Sequence, residues 1–293
     1  MSDVRIGISG WRHALWRGDF YPKGLVQRKE LEFASREVNS IEINGSFYGL
    51  QTPQRYKAWG AQTPDDFIFS IKAPRYITHV RRLVDIEQPL ANFFASGLLG
   101  LKEKLGPILW QFPPSFRFDE HLFGDFLAQL PSSTDQARRI ARRSAARLHV
   151  PGYLEAAVGK PLRHAVEIRN DSFCCPAFVN LLRQHNIALV VADTAGKWPY
   201  VEDVTADFLY LRLHGDAKLY VSGYSPQALR RWQRRIEAWA AGGQPQDAQL
   251  IDREYPISST ARDLYCYFDN DVKVRAPYDA RHLLENLGLR PRA

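Results

Sequence analysis

Apolar residues recur along this chain in two rhythms, short runs alternating every second residue and longer stretches spaced three and four apart. Val4 to Ser9 alternates and breaks at Gly10-Trp11, which predicts a first strand followed by an aromatic, Gly-rich loop up to Pro22. Gln27 to Val38 carries Leu31, Ala34, Ser35 and Val38 at helical spacing and leads into Asn39 to Gly49, a short β-branched strand. In that strand Glu42 and Asn44 share one face and Ile41 and Ile43 the other, with the polar face concentrated at the C-terminal end. Thr52-Pro53 opens a helix running to the region of Gly60. Phe67 to Lys72 is a third strand ended by Ala73-Pro74, and Ile108 to Gln111 a fourth, halted by Pro113-Pro114.

Helical spacing then returns over Asp119 to Leu130 and Asp135 to Leu148, and Ala165 to Arg169 repeats the opening design with Glu167 and Arg169 on one face. A helix ends at His185, and Ile187 to Ala192 is a continuous apolar run of the kind a buried parallel strand shows, closed by Asp193. Little helical periodicity separates Asp193 from Phe208, so the sixth connecting helix is expected to be short or missing. Phe208 to His214 is a seventh strand with Tyr210, Arg212 and His214 sharing a face. A helix capped by Ser225-Pro226 carries Leu229, Trp232, Ile236 and Trp239 on one side and stops at Gly242-Gly243. Leu264 to Phe268 is the eighth strand, and Ala280 to Leu287 the last helix. Eight strands alternating with helices, without a linker-like break or internal repeat, predict a single (β/α)8 TIM-type barrel over residues 1–293. A doubly wound open sheet is the alternative, and it lacks a G-x-G-x-x-G after the first strand.

Composition narrows this picture modestly. Hydrophobic residues make up 45 % of the 293, enough for a substantial core. Lys and Arg number 39 against 32 Asp and Glu, a net charge of +7 that favours anionic partners or a solvated basic surface. Three cysteines, two adjacent at Cys174-Cys175, form neither a disulfide framework nor a metal motif and fit reduced thiols. With no apolar leader at Met-Ser-Asp-Val-Arg and no long apolar run, a cytoplasmic location without membrane contact is expected.

Gly7-Ile-Ser-Gly-Trp11, Gly18-Asp-Phe-Tyr-Pro22, Glu42-Ile-Asn44 and Phe47-Tyr48 resemble the YecE-like family, domain of unknown function 72. So do Phe69 to Arg75, Ile77-Thr-His79, Gln111-Phe-Pro-Pro114, Ala165 to Arg169, Arg212-Leu-His-Gly215 and Tyr267-Phe268, in the same order nearly end to end. The resemblance implies a TIM-type barrel and no established reaction. Two features depart from the family pattern: its last strand ends in paired asparagines where this chain has Asp269-Asn270, and Gln244 to Asp263 is longer than the usual connection. Either could change the charge or cover of the barrel mouth.

In such a barrel Ser9, Glu42, Asn44, Lys72, Gln111, Glu167, Arg169, Asp193, Arg212, His214 and Asn270 fall at or just past C-terminal strand ends and ring one mouth. One reading is an active site, with Glu42, Glu167, Asp193 and His214 as the acid/base set and Glu42 the first candidate for the base. Asn44, Lys72, Gln111, Arg169, Arg212, Gly215, Asn270, Trp11 and Tyr48 would then bind an anionic, phosphate- or carboxylate-bearing substrate, as a hydrolase or lyase would. The competing reading is a self-satisfied ionic network, Glu167 with Arg212 and Glu42 with Lys72 or Arg169. The three acids and His214 could also hold a divalent metal, although no local ligand motif exists and the neighbouring cations compete, so the cofactor stays unknown and a metal is not favoured.

Other features stay open. The loop His214 to Tyr224, with Gly215, Lys218, Tyr220 and Gly223, precedes a capped helix and resembles a phosphate cradle or an ordinary loop. Arg138, Arg139, Arg142, Arg143 and Arg147, and Arg230, Arg231, Arg234 and Arg235, form stripes that read as solvated faces or as phosphate-backbone contacts. With the aromatics Trp11, Trp16, Phe20, Tyr21, Phe47 and Tyr48 they keep a non-catalytic nucleic-acid binder as the alternative function. His79 could join the site or cap a loop, and Cys174-Cys175 reads as packing.

Overall fold

The computed structural model of the protein describes residues 2–145, 155–256 and 259–290. Eight strands, β1 (Val4–Ser9), β2 (Ser40–Ile43), β3 (Ile68–Lys72), β4 (Leu105–Gln111), β5 (His164–Glu167), β6 (Ala188–Asp193), β7 (Phe208–Leu213) and β8 (Asp263–Phe268), pair in parallel in chain order. β8 pairs back onto β1, closing the barrel. The open-sheet alternative is thereby removed.

Every strand but β6 is followed by a helical cover, because the outward faces of the strands are apolar. Ile6, Ile8, Ile41, Ile43, Trp110, Val166, Leu189 and Val191 belong to the layer between strands and helices. That layer buries one side of α1 (Glu30–Glu37), α2 (Gly45–Tyr48), α3 (Pro53–Gln62), α4 (Glu87–Phe94), α5 (Glu120–Gln129), α6 (Thr134–Ala141), α7 (Pro176–Gln184), α8 (Pro226–Ala240) and α9 (Ala276–Asn286). The caps read at Thr52-Pro53 and Ser225-Pro226 are present and are joined by Asp119 and Ser133, all four accepting from backbone N–H groups one turn on, and proline occupies the first turn of α3, α7 and α8. Among the described residues no helix lies between β6 and β7, as the weak periodicity after Asp193 predicts. The β3–β4 connection holds two elements the spacing does not single out, a π-helical turn at Tyr76–Val80 and α4. Of the predicted helix over Asp135 to Leu148, α6 accounts for the first part and stops at Ala141, Arg142 to Ala145 are not helical, and Ala146, Arg147 and Leu148 lie outside the described residues.

The lumen differs from a barrel packed with branched aliphatic side chains. Tyr210, Tyr265 and Tyr267 share it with Leu109, Val190 and several alanines. The Tyr210 hydroxyl sits 2.6 Å from Ser70 Oγ, and the Tyr267 hydroxyl 2.8 Å from Ser40 Oγ. Two rings from β7 and β8 thus cross to small residues on β1 to β3, and Gly7 completes the space: a Cβ there would stand 2.0 Å from Ser40 O and 3.3 Å from the Tyr267 ring.

The segment after α8 belongs to the opposite end of the barrel from the mouth. Gln249 N donates to Glu202 Oε2, Ile251 N to Asp203 Oδ2, and Arg183 pairs with Asp252. The described residues of Gln244 to Asp263, which as a longer connection could have changed the cover of the mouth, therefore lie away from it, since a connection entering β8 from a helix reaches the N-terminal strand ends. No helix among the described residues is long and apolar enough to cross a membrane.

Gly7→Ala should cost at least about 3 kcal/mol of unfolding free energy, because neither Ser40 backbone nor the buried tyrosine can yield without shifting β1. Urea denaturation of the variant beside the parent checks this, and an unchanged midpoint would refute the tight-lumen account.

Candidate active site

The polar strand ends do converge, but at two depths. At the floor the fully buried Arg212 guanidinium meets three carboxylates. Its Nε and Nη2 donate to both oxygens of Glu42 at 3.0 and 2.8 Å, Nη1 donates to Glu167 at 2.7 Å, and Nη2 also reaches Asp269 at 2.8 Å. Glu42 takes two more donors, Ser9 Oγ at 2.7 Å and the Tyr210 hydroxyl at 2.6 Å. A carboxylate with four donors on two oxygens has no lone pair left for a substrate proton. Glu167 is shared between Arg212 and Arg169, whose Nε lies 2.8 Å away and whose guanidinium stacks on Trp198 at 3.8 Å. His214 is enclosed beside Asp269, with Nδ1 3.1 Å from that carboxylate and Tyr220 set edge-on above it at 5.3 Å.

Burial alone would push Glu167 and Asp269 up. Arg169 and Arg212 for the first, and Arg212 and His214 for the second, outweigh it and hold both well below the usual carboxylate range. The ionic-network reading thus describes the floor, with Arg212 rather than Lys72 as the partner of Glu42. Among the described residues no group of three or more His, Cys, Asp or Glu side chains has a metal-holding arrangement.

Above the floor lies a cavity of about 910 Å³. Of the residues the sequence singles out, Ser9, Asn44, Lys72, Gln111, Arg169, Trp11 and Tyr48 line it. Glu42, Glu167, Arg212 and His214 lie beneath as its foundation. Three others are placed elsewhere. Asp193 turns its carboxylate to the Tyr224 hydroxyl at 3.1 Å, because Val190 and Ala192 take the inward phase of β6 and leave position 193 facing out. Asn270 is likewise out of phase with Asp269, and its amide donates to Ser222 O and Asp279 Oδ2. Gly215 N donates to the Tyr224 hydroxyl, and the loop turns further amides, those of Ala217 and Lys218, onto Ser222 Oγ. That loop closes on itself, so the phosphate-cradle expectation is corrected.

The cavity also recruits residues that spacing does not mark. His13 and Asp271, from the loops after β1 and β8, form a pair with Nδ1 3.0 Å from Oδ2, the imidazole stacked on Trp16 at 4.2 Å. Burial and the neighbouring Asp269 push Asp271 up, partly offset by His13. His79 stands between Thr78 and Gln111, and burial together with Arg75, Lys72 and Arg169 brings it down to about 4, so it is a neutral imidazole at pH 7. Trp11 packs edge-on against Trp59 at 5.2 Å, and Asn44 Oδ1 is buried there without a hydrogen-bond partner.

The arginine stripes lie on outer helices. Arg139, Arg142, Arg143, Arg230, Arg231 and Arg234 are exposed, whereas Arg235 is buried against Glu202 and Asp247 and leaves its stripe. Cys174 is exposed, and Cys175 is the residue before the first turn of α7.

A family model described as a protein of unknown function, DUF72, matches residues 5–293, and the chain belongs to that family. The UPF0759 protein YunF of Bacillus subtilis is 28 % identical over 137 residues, 42 % of this chain and 48 % of that protein. The UPF0759 protein YecE of Escherichia coli is 30 % identical over 113 residues, 39 % of each chain. The matched stretch thus spans less than half the length of these relatives. A DUF72 family protein from Thermotoga maritima superposes with a TM-score of 0.71 at 23 % identity, covering 98 % of this chain and 99 % of that one. One from Enterococcus faecalis gives 0.67 at 19 %, covering 98 % and 96 %. These likenesses are to the fold.

Arg212→Met should cost about 3–5 kcal/mol at pH 8, because three buried carboxylates lose their shared partner. The deficit should shrink toward pH 5. Glu167 and Asp269, freed from the guanidinium, rise toward protonation and gain stability as pH falls, whereas in the parent protein their depressed values keep this contribution level over the same window and let it drain only below about pH 5. Denaturant titrations at the two pH values measure it, and a pH-independent deficit would contradict the network.

Proposed function

We propose that this DUF72 protein is an enzyme that binds a small phosphate- or carboxylate-bearing substrate in the mouth cavity and transforms it by acid/base chemistry. The observation that supports this is the cavity's charge balance. Five cationic side chains, Arg12, Arg55, Lys72, Arg75 and Arg169, line it against two carboxylates, Asp269 and Asp271. Both carboxylates are engaged, with Arg212 and His13 respectively. The inner set is balanced, since Lys72, Arg169 and Arg212 face Glu42, Glu167 and Asp269. The excess is carried by the exposed arginines of the lip, and Arg12 and Arg75 make no ion pair among the described residues. An anion held at the lip gains several unspent donors, which fits a carboxylate or phosphate group.

For proton transfer the wall offers His13 with Asp271, in place of the floor carboxylates. Protonated at both nitrogens, the ring donates to Asp271 and to Ser9 O at 3.3 Å. On giving the Nε2 proton to a substrate it remains anchored through Nδ1. Glu42 and Glu167 hold Arg212 and Arg169 in place and are positioning residues in this reading.

A second reading, a nucleic-acid binder, draws on Tyr48, which is 78 % exposed at the same lip beside Arg55 and Arg75. There an exposed ring offers stacking and the arginines meet phosphates.

The double variant Arg12→Met/Arg75→Met should lose at least tenfold in affinity for inorganic phosphate by calorimetry while keeping its melting temperature. His13→Asn should lower the rate of any reaction found in a phosphoesterase and lyase screen about 100-fold or more. Equal phosphate affinity in parent and double variant would sink the anion site. Tight single-stranded DNA binding with a steep salt slope would favour the second reading instead.

A further inference from the structure

Lys72 is the one side chain of the inner set with no direct partner of opposite charge among the described residues. It ends β3 and borders the cavity while remaining 8 % exposed. Its Nζ lies over the Phe47 ring, 4.3 Å from the centroid. The carboxylates that would ordinarily receive a buried ammonium are already spent, Glu42 and Asp269 on Arg212, and Glu167 on Arg212 and Arg169. The backbone at the end of β3 is held firmly: Ser46 Oγ donates to Lys72 O at 2.6 Å, and Ala73 N to Leu109 O at 2.8 Å. A buried, unpaired ammonium beside a permanent guanidinium is relieved by losing its proton, and a neutral amine facing a cavity is a nucleophile.

We propose that Lys72 forms an imine with an aldehyde or ketone carbon of the anionic substrate. This deepens the reading above, since it makes the substrate two-ended, with an anionic group held at the lip and a carbonyl reaching the inner wall. The Nζ lone pair attacks the carbonyl carbon, forming the C–N bond while the π pair moves to oxygen. The carbinolamine then loses that oxygen as water, which carries away both amine protons, and C=N remains. Nothing is oxidised or reduced.

The electrostatics support the geometry. Burial first, and then Arg212, push the lysine down to about 8, against the smaller pull of Glu167, Glu42 and Asp269. The groups facing it are Arg212 from β7, Glu42 from β2, Glu167 from β5, Asp269 after β8 and the neutral His79 after β3. Glu167 and Asp269 are held below the usual carboxylate range and His79 is brought down to about 4, so a change in reactivity between pH 7 and 9 reports the lysine itself.

The test uses glyoxylate, a small aldehyde bearing a carboxylate, and acetaldehyde, a small neutral one. Each is incubated with the full chain, trapped by cyanoborohydride reduction and located by peptide mass spectrometry. Lys72 should be labelled by glyoxylate at least about tenfold faster than exposed lysines such as Lys23 and Lys57, with a rise centred near pH 8. Lys72→Met, which leaves no carboxylate unpaired, should fold normally and lose that fast adduct. Labelling of Lys72 no faster than Lys23 with either aldehyde overturns the proposal, whatever the phosphate affinity of the cavity. Fast labelling by both aldehydes alike keeps the nucleophile and removes the anionic end of the substrate. Because the parent protein's adduct map decides the matter, a misfolded variant would not obscure it.

Discussion

The Arg212 guanidinium is the fixed point of the barrel mouth. It reaches carboxylates from β2 and β5 and the one just after β8, so its own strand, β7, is tied to three others through one fully buried group. Desolvating such a cation costs several kcal/mol, and the cost is met only because the fork is matched bidentately by Glu42 and its remaining donors are met by Glu167, Asp269 and Ser9. The layer below is built to suit it. Tyr210 spans the lumen from β7, touching Ser70 on β3 and donating to Glu42 on β2, so the lumen's small residues and its ionic floor form one continuous structure.

That arrangement decides which strand-end residues have chemistry left. Glu42 looks like a base in isolation, since it is a lone carboxylate amid isoleucines, but its four donors make it part of the scaffold. Lys72 looks like a counter-ion in isolation, and its expected partner has gone to a better-shaped donor. Arginine outcompetes lysine for a carboxylate whose two oxygens are presented side by side, because only the planar fork meets both at once. The roles of acid and cation at the mouth follow from that competition.

The fold was legible because a barrel strand shows its outward half in plain hydrophobic alternation, and closing Pro or Gly residues mark where it stops. The height of a residue in the barrel follows from its place in the strand, which is why Lys72, Gln111 and Arg169 were found at the cavity. Phase was harder. In β6 the apolar run hides which residues face inward, so Asp193 reads as a mouth residue although it faces Tyr224. Asn270 suffers the same one-residue slip against Asp269. Partners across the lumen were legible only in part: the pairing of Glu167 with Arg212 is present, whereas Glu42 pairs with Arg212 and not with Lys72 or Arg169, because the outcome depends on which long side chain reaches which neighbour. His13 and Asp271 meet from loops at opposite ends of the chain, and no periodic signal links them.

Charge at the mouth is layered by the same logic. With Lys72 protonated, three cations face three carboxylates at depth, whereas the lip keeps Arg12 and Arg75 without an acidic partner among the described residues. A molecule charged at both ends would meet balanced charge at the floor and gain little there. On the proposed reading, one charged at a single end would settle with the anion outward and its less polar end toward Lys72, Trp11 and Phe47. Orientation would then come from where the excess charge lies, with Trp11 and Phe47 forming the aromatic part of the wall. The shape of the ionic floor, more than any single residue on the wall, is what gives three carboxylates to one arginine fork and leaves Lys72 without a direct acidic partner among the described residues.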